Sequence, residues 1–206
     1  MQMERRNNYE IQAAQARRLF CTYDMEAIIR AHALQADAAY LYLRLLDERY
    51  RVCRADGHIF REKKDGWIPA DSFDEALTIF DLLSTIRPDQ CAAGVWKTTQ
   101  EFGGQVHRNL VENGPASALE RLFDAQPERL EHACLALGGA AMPGADLFYA
   151  LPFFDRIRMA VQFWHGDEEF APRLRFLWDA NADRYLRYET MYYAMGLVRE
   201  RLQEYA

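Results

Sequence analysis

One short acidic segment of this chain concentrates the residue types that can do chemistry. Between Trp164 and Pro172 it carries an imidazole, His165, followed after one glycine by three consecutive carboxylates. Crowded carboxylates repel one another, which favours the binding of a proton or a cation. Oxygen donors beside one imidazole suit a hard divalent ion such as magnesium or manganese. The candidate functional residues are therefore His165, Asp167, Glu168 and Glu169.

Two interpretations of this acidic turn are open. In the first, Asp167 and Glu169 hold a divalent ion, and His165 lies beside it as a ligand, an acid or a base. In the second, Gly166 and Asp167 make a hairpin turn in which Asp167 accepts backbone N–H bonds. The other carboxylates then face solvent and Phe170 folds back into the core. Because successive residues tend to point apart, the structural interpretation is favoured.

A second acidic pattern lies shortly downstream. Asp179, Asn181 and Asp183 form the D-x-N-x-D start of an EF-hand calcium loop, which places oxygens at alternating positions around the ion. The rest of the loop differs, because Arg184 stands where the sharp turn needs glycine and Thr190 where the bidentate glutamate belongs. We therefore expect turns and helix caps here rather than a calcium site.

No complete catalytic motif accompanies these segments. The chain has no G-x-S-x-G elbow, phosphate-binding glycine loop or H-E-x-x-H helix. Its cysteines at positions 21, 53, 91 and 134 are too far apart for an iron–sulfur or zinc motif, and we expect them to be free thiols. The residues therefore imply no particular cofactor and leave open whether the protein is an enzyme.

Composition limits the class of protein. The 206 residues carry a formal net charge of −6 and half of them are hydrophobic, which is typical of a globular domain. An acidic balance argues against nucleic acid and anionic membranes as partners. No apolar run is long enough to cross a bilayer, and the N-terminal residues show no signal-peptide pattern. We expect a cytoplasmic protein of one domain, residues 1–206, with a weak sub-boundary near 138–144.

Strongly alternating segments flank the acidic turn and must position it. Residues 157–164 and 173–178 are apolar at every second position, which predicts an antiparallel pair with one buried face. A later helix carries an apolar stripe that suits this face, formed by Met191, Met195, Val198, Leu202 and Tyr205. The patterns predict an α+β fold, with antiparallel hairpins packed against helices and a C-terminal helix closing the core.

Further elements are predicted upstream. Helical spacing runs from Tyr9 to Phe20, with Asn7 or Asn8 as the cap, and another helix begins after Asp24. A capping box at 72–75 starts a third helix, and two more are predicted near 115–123 and 127–137. Hairpin strands are predicted at 39–46 and 49–52, a turn at 56–57 and a strand at 147–153. Residues 94–104 are expected to form an ordered loop.

These pieces resemble a family known as domain of unknown function 3786. The most specific match is Trp164-x-Gly166-Asp167-Glu168-Glu169-Phe170-x-Pro172. Weaker matches run nearly from end to end, namely Asn8-Tyr9-Glu10, Tyr50-Arg51-Val52, Asp56-Gly57, the helix from Leu77 to Leu83, Gly94 with Trp96, Gly138-Gly139, Leu151-Pro152, Leu177-x-Asp179, Tyr185-Leu186 and Glu189.

The resemblance implies a cellular setting rather than an activity. The family occurs in bacteria and archaea, many of them anaerobes, and some similar proteins join this domain to a cysteine-rich iron–sulfur module. That arrangement implies a neighbourhood of redox or one-carbon metabolism. Since the four scattered cysteines of this chain cannot form the module, any cluster would belong to a partner. We therefore expect an accessory or ligand-binding domain assisting a redox or cofactor-dependent enzyme, the alternative being a divalent-metal-dependent enzyme that uses residues 165–169.

Overall fold

The computed structural model describes residues 2–70, 72–103 and 117–206, and they form an α+β fold as predicted. The described residues group into two compact units. The first comprises Met1–Gln90 and Arg184–Leu197, and the second Cys91–Asp183 and Val198–Ala206. Segment 138–144 lies inside the second unit. That residues 1–206 fold as a single domain stays a prediction.

Three helices belong to the first unit: α1 (Gln2–Phe20), α2 (Met25–His32) and α3 (Phe73–Ser84). The side chains of Asp24 and Ser72 accept backbone N–H bonds at the starts of α2 and α3. The predicted helix start after Asp24 and the predicted cap at Ser72 are therefore confirmed. The predicted cap of α1 at Asn7 or Asn8 is wrong, because that helix already begins at Gln2. The helix α1 packs on α3, where the rings of Phe20 and Phe80 stack at 4.8 Å.

The first sheet is an antiparallel meander in the order β1-β2-β3-β4-β5. Its strands are β1 (Gln35–Ala36), β2 (Tyr40–Leu45), β3 (Glu48–Cys53), β4 (Ile59–Lys63) and β5 (Gly66–Pro69). The predicted β2–β3 hairpin is confirmed, with Leu45 paired to Glu48 across a two-residue turn. Both turn residues, Leu46 and Asp47, have positive φ angles, of 54° and 58°, as a type I′ turn requires.

A polar cluster is buried between this sheet and α3. The Tyr50 hydroxyl lies 3.3 Å from Glu48 Oε2 and 3.2 Å from Glu75 Oε1. Arg61 donates to both oxygens of Glu48 at 3.2 Å, and Lys63 donates to Oε1 at 3.2 Å. Buried carboxylates are stable only when charge and hydrogen bonds satisfy them. We infer that this cluster ties β3 and β4 to the start of α3.

Part of the second unit has the same order of elements as the start of the first. A helix pair, α4 (Ala118–Ala125) and α5 (Pro127–Ala136), precedes a two-residue strand, β7 (Ala140–Ala141). Three long antiparallel strands follow: β8 (Leu147–Phe154), β9 (Ile157–Trp164) and β10 (Arg173–Asp179). The edge beside β10 is taken by β6 (Trp96–Lys97), which comes earlier in the chain, so the sheet order is β6-β10-β9-β8-β7.

The last helix, α6 (Tyr188–Tyr205), contributes to both units. Its buried residues Met191, Ala194 and Leu197 lie in the first unit, and Val198 and Leu202 in the second. This C-terminal helix was predicted from its apolar stripe. Residues 94–104, expected to be a loop, include β6 and a 3₁₀ helix at Thr99–Phe102. The start of the helix predicted near 115–123 falls outside the described residues.

Candidate functional site

The acidic turn connects β9 to β10, and Trp164 and Arg173 are the last paired residues before it. The site is therefore the hairpin loop 165–172, as the alternating flanks predict. Inside it, Asp167 Oδ1 accepts the backbone N–H of Glu169 at 2.8 Å and of Phe170 at 2.7 Å. The Asp167 N–H in turn donates to Phe170 O at 2.9 Å. This is the structural role proposed for Asp167, and it fixes the loop backbone.

Gly166 lets the two ends of the loop approach closely. A Cβ atom on this residue would lie 2.8 Å from Pro172 Cδ and 3.1 Å from Pro172 N. Real Cβ atoms do not approach other atoms as closely as the first of these distances, so a side chain here would force the loop apart. The Gly166 and Pro172 positions of the family pattern thus serve loop closure.

His165 is held from two directions by carboxylates distant in sequence. Its backbone N–H donates to Asp146 Oδ2 at 2.8 Å, and its ring Nδ1 lies 3.0 Å from Asp124 Oδ1. The same Asp124 oxygen accepts the N–H of Gly166 at 3.1 Å. The ring also meets Phe163 edge to face at 5.3 Å. Nδ1 is occupied by this contact, so Nε2 is the nitrogen available to a ligand or a proton.

Asp124 is the residue of this site whose pKa is shifted. The hydrogen bond with His165, and then that from the Gly166 N–H, lower the pKa of the Asp124 carboxyl below its ordinary value. Its side chain is about a third exposed, at 34%, and that of His165 is 40% exposed. The pair therefore lies at the surface, accessible to a partner or a small molecule.

The three consecutive carboxylates do not gather around one point. Asp167, Glu168 and Glu169 are all exposed, and one oxygen of Asp167 is used by the turn. Across residues 2–70, 72–103 and 117–206, no group of three or more His, Cys, Asp or Glu side chains is arranged to hold a metal ion. The assignment of Asp167 and Glu169 as metal ligands stays a prediction.

A shallow groove of about 560 Å³ runs along the loop. It is lined by Asp124 and by residues 166–172. Phe170 is one of its lining residues and is 69% exposed, so the expectation that this ring folds back into the core is wrong. The reason is that Asp167 holds the Phe170 backbone N–H in the turn, while the core beneath is already filled by Phe123 and Phe163.

The EF-hand-like segment has the structural role expected of it. Asp179 is 3% exposed, and its carboxylate accepts N–H bonds of 2.8 to 3.0 Å from Ala93, Gly94 and Asn181. The side chain thus anchors a loop that lies over eighty residues earlier in sequence. Sequence reasoning identified the turn but not this distant loop.

Within the described parts of the chain, no helix is both long and apolar enough to cross a membrane.

Comparison with known proteins identifies a family but no individual similar protein. No curated protein and no solved structure matches this chain. The family model described as Domain of unknown function (DUF3786) matches residues 24–201. The matched range contains the β2–β3 hairpin, the β9–β10 hairpin and the acidic turn. The Asn8-Tyr9-Glu10 piece of the resemblance lies before this range. On this match, the chain belongs to the DUF3786 family.

Proposed function

We propose that this protein is a cytoplasmic accessory domain that binds a partner protein through the acidic turn, residues 165–172. The observation that carries the proposal is the exposure of Phe170, at 69%, on a loop whose backbone is fixed by hydrogen bonds. Phe170 is the most exposed large apolar residue in the described part of the chain, and aromatic residues are enriched at interface cores.

Pre-organisation makes this loop suited to binding. Asp167 fixes its tip, Asp124 fixes its base through His165 and Gly166, and Gly166 and Pro172 close it. A loop already held in one conformation loses little entropy when it binds, so more of the contact free energy appears as affinity. Phe170 would act as the anchor, inserting into an apolar pocket of the partner.

The charges around the anchor define the partner surface. Glu168 and Glu169 immediately precede Phe170 and are exposed, so the matching surface carries lysine or arginine residues beside an apolar pocket. The resemblance to proteins that carry an iron–sulfur module favours a redox, one-carbon or other cofactor-dependent enzyme as this partner. The domain would then supply recognition, and the partner would supply the cofactor.

Site-specific crosslinking tests the proposal directly. A photoreactive phenylalanine analogue at position 170 should capture one dominant protein in the native host. Phe170→Ala should reduce co-purification of that protein about tenfold or more, as expected when an interface anchor is truncated. Leu135→Ala is the matched control, since Leu135 is also an exposed apolar residue of the second unit, at 55%. Equal recovery with both variants, or no crosslinked protein, would contradict the proposal.

The alternative function is a divalent-metal-dependent enzyme using the same turn. Four carboxylates line the groove, those of Asp124, Asp167, Glu168 and Glu169, and His165 Nε2 is available beside them. In that case magnesium, manganese or calcium at millimolar concentration raises Tm, and Asp167→Asn abolishes the shift while its amide oxygen preserves the turn. Absence of any metal-dependent shift in Tm would exclude this alternative and leave the accessory role untouched.

A further inference from the structure

A second set of reactive side chains meets at the turn between β3 and β4 in the first unit. Cys53 is the last residue of β3; its N–H donates to His58 O at 2.8 Å, and its carbonyl accepts the Gly57 N–H at 2.9 Å. Asp56 accepts the backbone N–H of His58 at 3.0 Å and also a hydrogen bond from the Cys53 thiol. The hydrogen bond from the Cys53 thiol is one of the causes that lower the pKa of the Asp56 carboxyl, after the bond from the His58 N–H.

The end of α1 brings a second thiol to this turn. Cys21 follows α1 directly, and its Sγ lies 3.3 Å from the position that a Cβ atom on Gly57 would occupy. The same position lies 2.7 Å from Arg17 Cγ, so only glycine lets α1 and the turn approach this closely. Arg17 Nη1 also contacts both ring nitrogens of His58, at 3.0 and 3.1 Å. Cys21 is thus packed against the turn that contains Asp56 and follows Cys53.

The contact of Cys21 with Gly57 brings it next to Cys53, because the Gly57 N–H is hydrogen-bonded to the Cys53 carbonyl at 2.9 Å. Partial burial, and then the charges of Asp56 and Cys53, raise the pKa of the Cys21 thiol, while Arg17 opposes them. These causes agree with the packing of Cys21 against the turn that follows Cys53. Both cysteines are only partly buried, so small reagents can reach them.

We propose that Cys21 and Cys53 are a redox-sensitive thiol pair that a hydroperoxide converts into an intramolecular disulfide. The pair lies in the first unit and is independent of the partner-binding turn. Of these two cysteines, only Cys53 falls within the matched family region, residues 24–201. The disulfide would attach the end of α1 covalently to the β3–β4 turn.

The chemistry needs only the two thiols and one hydroperoxide. The Cys53 sulfur attacks the outer oxygen of the hydroperoxide, the O–O bond breaks, and the thiol proton leaves with the other oxygen as water or an alcohol. Cys53 is then a sulfenic acid. The Cys21 sulfur attacks the Cys53 sulfur, the S–O bond breaks, and the hydroxide leaves as water with the Cys21 proton. Two thiols are oxidised and one hydroperoxide is reduced.

Peptide mapping tests this pair without ambiguity. Trypsin places the four cysteines in separate peptides, 19–30, 52–54, 65–97 and 130–156. After treatment of the folded chain with equimolar hydrogen peroxide, we expect peptide 19–30 linked to peptide 52–54, with the loss of two hydrogen atoms, as the dominant disulfide. Cys91→Ser should leave the linkage unchanged, and Cys21→Ser and Cys53→Ser should each abolish it.

Two outcomes would overturn the proposal. One is oxidation of Cys91 with no linkage between the two peptides. The other is a mixture of pairings equal to that of the urea-unfolded chain, which would mean that the fold does not select this pair.

A variant of Asp56 tests whether its carboxylate lies close to the Cys21 thiol. Asp56→Asn removes a charge that raises the pKa of Cys21 but keeps an oxygen for the His58 N–H. The pH profile of Cys21 alkylation by iodoacetamide should therefore move to lower pH, with Cys91 alkylation as the internal control. An unchanged Cys21 profile would show that Asp56 lies too far away and would contradict the cluster.

Discussion

His165 and Asp124 illustrate how the fold gives one imidazole a defined orientation. The chain separates them by 41 residues, and the hairpin brings their polar atoms to 3.0 Å. Since Nδ1 is held by the carboxylate, Nε2 is the ring nitrogen left for another partner. No spacing rule in a single sequence connects a residue at the end of α4 with a loop after β9, so Asp124 and Asp146 were missed as members of the site.

The tuning of Asp124 can be tested by removing the imidazole. His165→Ala should raise the pKa of Asp124 toward its ordinary value of 3.8, because the largest cause of its lowering is lost. A carboxyl with a lowered pKa stabilises the fold above that ordinary value, and this contribution is lost as pH falls through the lowered pKa. Carbon-13 NMR titration of the carboxyl measures the change. An identical titration in the variant would show that His165 does not set it.

Asp179 should contribute more to the free energy of unfolding than any residue of the acidic turn. It is buried and satisfies three backbone N–H groups, so Asp179→Ala should lower the free energy of unfolding by about 3 kcal/mol. Asp179→Asn, which keeps one oxygen, should lose less. Urea unfolding measures both. Equal stability of the alanine variant and the natural chain would mean that the loop at residues 93–94 finds other acceptors.

At the scale of elements, the β2–β3 hairpin stores backbone strain. Asp47 has a φ of 58°, a conformation that costs an ordinary L-residue roughly 1 kcal/mol or more. Asp47→Gly should therefore be more stable than Asp47→Ala by about 1 kcal/mol. Both variants lose the exposed contact with Arg44, so their difference in urea unfolding isolates the φ angle. Equal stabilities would mean that the turn relaxes.

Long elements were predictable from sequence and short edge strands were not. The predictions for α2, α3, β2, β3, β9 and β10 succeed because their signals are local, either a cap or an apolar period over several residues. The strands β1, β6 and β7 contain two residues each, which is too short for any period. They exist because a neighbouring long strand offers unpaired N–H and C=O groups at its edge.

The shared order of elements in the two units was also invisible in the sequence. Each unit places two helices and a two-residue strand before three long antiparallel strands, although no repeat of residues is visible. Many sequences satisfy the same alternation of buried and exposed positions, so similar meanders do not require similar residues. In both units the turn between the second and third long strands holds the chemically notable residues, His58 in one and His165 in the other.

At the scale of the whole molecule, a single domain should unfold cooperatively. We expect both units to unfold in one transition, because the continuous helix α6 contributes buried residues to each. Fluorine-labelled tryptophan gives separate NMR signals for Trp67 in the first unit and Trp178 in the second. Their urea midpoints should coincide. Two distinct midpoints would show that the units unfold separately.

The division of α6 between the units has a consequence for the order in which the chain can fold during synthesis. The sheet and three helices of the first unit emerge from the ribosome early. Their packing is completed by residues that emerge late, since Arg187 bonds to Asp81 and the ring of Tyr193 meets Phe73 at 4.9 Å. The whole of residues 91–183 must be translated in between. We expect a ribosome-bound chain that stops at residue 183 to leave α3 open to protease and chaperone binding. The packing of the first unit is therefore completed only after residues 91–183 have been made.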